Sequence, residues 1–132
     1  MWTNNIESIV FSKIKYYVRS KLRSKYPGLN FTTSNVRPVN PMFPTVYIHE
    51  MPGIETANDM ESKVVNSVSC SFQIEVTDTS SELVAKEVMN AVVDRMKDLM
   101  FSVTSFPEFQ NVDGYFRNVA RFSRIIGKDD IL

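Results

Sequence analysis

The sequence predicts an α+β fold: a single domain in the order α-β-β-β-α-β-β, with an antiparallel-rich sheet and two helices packed on one side. Three observations point to it. Val68, Cys70, Phe72, Ile74 and Val76 alternate with Ser67, Ser69, Ser71, Gln73 and Glu75, the period of a strand with one covered face. An amphipathic stretch follows directly over residues 81–100, and another opens the chain over residues 5–26. At 132 residues the length fits one domain, enough to bury a core without disulfide or metal staples.

In helix one, residues 5–26, Ile6, Val10, Ile14, Tyr17 and Val18 share a face, and Lys15, Arg19 and Arg23 stack on the opposite side. Pro27-Gly28 ends it, because proline breaks the hydrogen-bond ladder and glycine tolerates a left-handed cap. Residues 29–37 read as a modest strand, and Asn40-Pro41 and Phe43-Pro44 stiffen the approach to a second, residues 45–50, with Val46 and Ile48 inward. Met51-Pro52-Gly53 should break it. Residues 53–62 are polar and aperiodic, an expected exposed loop that is mobile alone and ordered against a neighbour. Its Glu55, Asn58, Asp59 and Glu61 are candidate inter-subunit contacts.

Strand three covers residues 64–77, and Asp78, Thr79 or Ser80 can cap helix two, residues 81–100. Val84, Ala85, Val88, Met89, Ala91, Val92, Val93, Met96, Leu99 and Met100 span about 200° of that helix, more than one sheet needs. Either helix one or a neighbouring subunit covers the surplus. Arg95 lies inside the arc, where its head should snorkel to water. Strand four, residues 101–105, should stop at Phe106-Pro107, and Asp113-Gly114 is a two-residue hairpin turn. Strand five, residues 115–126, has mixed parity: Phe116, Ala120, Phe122 and Ile126 oppose Arg117, Val119 and Arg121. A bulge or a second covered face would account for that.

Little reaction chemistry is visible. The one histidine, His49, falls on the outward parity of strand two with no nucleophile in view, and so reads as a surface or interface residue. Cys70, the single cysteine, sits in the apolar parity beside Phe72 and reads as a core thiol. One Cys and one His cannot build a structural zinc site. The acids around Asp59 lack the ligand order of a calcium loop, and four dispersed glycines form no phosphate cradle. An enzyme is not expected, nor a cofactor or metal.

Net charge is zero but unevenly placed. Residues 1–40 carry seven basic side chains against Glu7, a net +6, and the rest carry eight basic and fourteen acidic, a net −6. Copies of the chain could therefore attract one another head to tail. The stripe of Lys15, Arg19 and Arg23 could meet phosphates or acidic neighbours, without any base-reading motif. The first residues reach charges too soon for a signal peptide or membrane span, so the chain is expected in the cytoplasm unless it leaves within a larger particle.

Residues 43–53, 68–78, the helix LVAKEVMNAVVDRMKDLMF and the segment NVARFSRIIGKDD together resemble the tail-terminator or tail-completion proteins of tailed bacteriophages and prophages. The signposts are Pro44, Tyr47, Gln73, Glu75, Met96, Phe101, Arg121 and Phe122. The resemblance implies a virion structural protein that closes as a ring, typically a homo-hexamer, on the last ring of the tail tube. It would stop tube growth and present the surface that joins the neck or head-tail connector, with DNA passing through its lumen unread. No chemical site residues transfer from the family. Lys15, Arg19 and Arg23 would lie at the lumen or at a subunit contact. Competing readings are another ring of the same assembly, such as a neck joining or tail-tube protein, or a small nucleic-acid-binding module using helix one.

Overall fold

A computed structural model of the chain describes residues 2–34, 42–58 and 65–132. A 3-10 turn, Trp2–Asn5, leads into α1, Ile6–Leu22; then come β1, Asn30–Thr32, β2, Thr45–Asn58, β3, Val65–Asp78, α2, Glu82–Asp98, β4, Ser102–Phe109, and β5, Phe116–Gly127. The strands form one sheet in the order β1-β2-β3-β5-β4. β1 runs parallel to β2 and the other pairs are antiparallel, so the sheet is mixed. Both helices lie on one of its faces, as the residue pattern predicts.

Val46 and Ile48 of β2, Cys70, Phe72, Ile74 and Val76 of β3, and Ala120, Phe122 and Ile126 of β5 face the helices and are buried. Alternation puts them there, since every second side chain of a strand leaves by the same face. Phe72 meets Phe101 edge-on, ring centroids 5.6 Å apart at 81°. Burial pushes the Cys70 thiol up to about 11, which keeps it protonated and unreactive at neutral pH.

α1 buries Ile6, Val10, Ile14, Val18 and Leu22, and α2 buries Ala85, Val88, Met89, Val92 and Met96 in the same core. The two helices pack together, so the wide apolar arc of α2 is covered within the chain. That arc therefore gives no argument for a neighbouring subunit. Arg95 snorkels: its guanidinium lies 5.5 Å from the Tyr17 ring centre, and its Nε donates to the Lys13 carbonyl at 3.4 Å.

Several boundaries differ from those expected. α1 ends at Leu22 rather than at residue 26, although the chain keeps winding, with the Tyr26 N–H donating to the Leu22 carbonyl at 2.8 Å. Gly28 is not needed for a left-handed turn. A Cβ there would lie 2.6 Å from the Phe43 carbonyl oxygen, so closeness of two backbones demands the glycine.

Pro52-Gly53 does not break β2. Met51 pairs with Ser71 and Ile54 with Ser69, so Pro52 and Gly53 together oppose Cys70 in a β-bulge, and the strand runs on to Asn58. Phe106-Pro107 behaves likewise. β4 continues to Phe109 through register shifts on both sides of Ser105, and it lies at the border of the sheet, where a missing N–H is tolerated.

Asp78 accepts from the N–H groups of Ser80 and Ser81 but does not cap α2. Ser81 caps it, its hydroxyl accepting from the Val84 N–H at 3.3 Å. Met100, expected inside helix two, instead takes φ 68° just after it, while the Phe101 N–H reaches the Met96 carbonyl at 2.9 Å. This is a Schellman ending with methionine in glycine's usual place. Arg124 donates to the Leu99 carbonyl at 2.8 Å, setting a cation at the negative end of α2. The turn at Asp113-Gly114 forms as expected, with Val112 paired to Tyr115 and Gly114 at φ 75°.

Candidate functional site

Two polar surfaces stand out, one on the outer side of α1 and one on the uncovered face of the sheet. Lys15 and Arg19 of α1 and Arg23, its C-terminal cap, fall on successive turns of one side, brought together by the four-residue spacing alone. They line an open hollow together with Ser12, Tyr16 and Ser20. Tyr16 is 77% exposed, and the Lys15 ammonium lies 5.8 Å from the Phe11 ring centre. Among the described residues, no ion pair engages Lys15, Arg19 or Arg23.

The other cations at the end of α1 are engaged. Lys21 lies over the Tyr17 ring at 5.1 Å, and its pKa is raised chiefly by hydrogen bonding to the Tyr17 side chain, with smaller help from the charges of Asp94 and Asp98. Lys25 bonds to both carboxylate oxygens of Glu87 at 2.9 and 3.0 Å, and the Tyr26 hydroxyl donates to the same carboxylate. The Tyr26 hydroxyl and then Lys25 hold the Glu87 carboxyl below its ordinary range, while Lys25 and Tyr26 are raised, each chiefly by its bond to Glu87. The three groups tie the end of α1 to α2.

The uncovered sheet face carries a ladder of paired groups. Arg117 donates through two nitrogens to the Glu75 carboxylate, Gln73 donates to Glu75 at 2.9 Å, and Arg121 donates to the Gln73 side-chain oxygen at 3.0 Å. Tyr47 and His49 flank it on β2, rings 5.9 Å apart. His49 is exposed, as its parity predicts. Val119 lies on this parity too and is only 7% exposed, which explains the mixed pattern of β5: its pairing with β3 is free of bulges, and one residue of the outer face is covered. Sequence reasoning placed these residues outward but missed their pairing, which depends on strand register.

The expected inter-subunit loop does not have the predicted form. The backbones of Glu55 and Asn58 lie within β2, paired with Val68 and Val65, and Asp59 and Glu61 lie outside the described residues. A further feature missed from sequence is Glu50 on the inward parity of β2. With Glu7 of α1 it lines a polar hollow, and burial, then Glu7, raises its pKa.

Among the described residues no three His, Cys, Asp or Glu side chains are grouped to hold a metal ion, and no helix is long and apolar enough to cross a membrane. No protein-family model matches the chain, and no curated protein matches it.

Proposed function

We propose that the chain is a structural subunit of a phage or prophage tail, a terminator that closes as a ring on the tail tube and offers its other side to the neck. The observation that carries this reading is the one-sided layering of the fold. Both helices lie against one face of the sheet, and among the described residues no helix covers the other, which carries an ordered row of polar groups suited to meeting another protein ring. The resemblance to tail terminators divides along the same line: Met96, Phe101 and Phe122 are core residues, while Tyr47, Gln73, Glu75 and Arg121 sit on the open face.

The mechanism is mutual capping. A ring laid on the tube covers its growing surface and presents no equivalent surface of its own, so growth stops. Ring closure on a template asks for shape and paired polar groups rather than for reactive side chains. A strain lacking the gene should produce filled heads unjoined to tails, together with tails of abnormal length. Normal-length tails joined to heads in that strain would remove the terminator assignment. Loss of a neck joining protein would instead leave tail length unchanged while blocking joining, and loss of a tail-tube protein would leave no tails.

A further inference from the structure

We infer that the outer face of α1 is a contact surface for a nucleic-acid phosphate backbone, independent of base sequence. Lys15, Arg19 and Arg23 stand about 6 Å apart along the helix axis, four residues at about 1.5 Å each. They form a row that winds around the helix by about 40° per step, which a flexible or curved polyanion can follow. Among the described residues they have no acidic partner, whereas Lys25, Arg117 and Arg124 are each held by one. Ser12 and Ser20 add hydroxyl donors along the same hollow, and the exposed ring of Tyr16 offers a flat apolar face beside the charges.

The regular spacing of the row favours a polyanion with evenly repeated phosphates over a second copy of the chain, several of whose acids are already engaged. Glu75 is engaged by Arg117, Glu87 by Lys25 and Tyr26, Asp130 by Arg124 and the Gly127 N–H, and Asp78 by the N–H groups of Ser80 and Ser81. Other exposed acids, Glu108, Asp113 and Asp129 among them, carry no ion pair among the described residues, so a second copy is the rival occupant that competition by polyglutamate tests. Contact with phosphates relies on charge and counterion release, so it is weak, sequence-blind and sensitive to salt. In a tail ring this permits DNA to slide. The inference rests on the ring reading for its setting, but the binding itself is a property of the purified chain.

The test is fluorescence anisotropy of the full chain with two labelled DNA duplexes of unrelated sequence, across a range of salt concentration. Both duplexes should bind equally, with affinity falling steeply as salt rises. The variant Lys15→Gln/Arg19→Gln/Arg23→Gln should flatten the log–log salt slope by about 2–3, since each phosphate contact contributes about 0.9. Arg19→Gln alone should flatten it by about 1. Lys86→Gln/Lys97→Gln/Lys128→Gln removes the same charge from exposed positions elsewhere and should leave the slope nearly unchanged. Equal loss in the two triple variants, no binding at low salt, or displacement by polyglutamate as effective as by unlabelled duplex would each overturn the inference. None of these outcomes bears on tail length in the deletion strain, which tests the ring reading separately.

Discussion

The open face of the sheet and the outer face of α1 are both polar and both in contact with solvent, yet they handle charge in opposite ways. On the sheet, the register sets Gln73 opposite Arg121 and Glu75 diagonal to Arg117, so charge and hydrogen-bonding groups find partners across neighbouring strands. On α1 the row of cations is made by local spacing, and nothing in the described chain answers it. A self-paired face has fixed shape and little net field, which favours a rigid partner of matching contour. An unanswered row on long side chains offers field without shape, which favours a partner that moves.

The severest way to break this comparison is to remove the platform beneath the ladder. Phe72→Ala should cost about 3–5 kcal/mol in chemical denaturation, the range for deleting a buried aromatic side chain. A cost near zero would mean that the core packs differently from the arrangement described. The ladder itself can be weighed by a double-mutant cycle on Glu75 and Arg117, whose side chains are 17% and 30% exposed. A coupling of about 1 kcal/mol is expected for a partly screened bidentate pair. Zero coupling would make the ladder incidental to the shape of the face.

On α1 the expectation is reversed. Replacing Lys15, Arg19 and Arg23 together with glutamine should change stability by no more than about 1 kcal/mol, because none of the three is in an ion pair among the described residues, although Lys15 and Arg19 are half-buried and Lys15 lies against Phe11. A large loss would show that the row is structural and would remove the contrast. The smallest effect concerns the tie between Lys25, Tyr26 and Glu87. Glu87 is lowered, so its contribution is present above the ordinary carboxylate pKa and is lost as pH falls through that value and its folded one. Lys25 and Tyr26 are raised, so their contributions are present below 10.5 and 10.0 and are lost as pH rises past those values. The difference in Tm between the wild type and Glu87→Gln should therefore be greatest between these limits and close at both ends. A pH-independent difference would show that the tie acts through packing.

The layering was legible in the sequence because it follows from alternation. Val68 to Val76 and the apolar stripes of the two helices fix which faces meet, and the structure places them so. The ends of elements were less legible. Pro52 and Pro107 read as stops because proline lacks a donor, but a bulge absorbs that loss by letting two residues face one. Met100 gave no signal, since a left-handed helix ending is ordinarily marked by glycine. The basic row of the candidate site could be read from spacing four residues apart. The Arg117–Glu75 and Arg121–Gln73 pairs could not, because partners more than forty residues apart become neighbours only once register is known.

The irregular border at β4 has a consequence for how copies of the chain can join. A straight, flat border strand is a template on which another backbone can lengthen the sheet, and repetition of that step gives an open-ended fibre. β4 withholds the template. Its two register shifts interrupt the row of outward donors and acceptors, and Pro107 has no N–H to offer. Phe106 stands 77% exposed on the same stretch. Extension of the sheet by backbone pairing is therefore disfavoured on this side, and any contact made there falls to side chains such as Phe106.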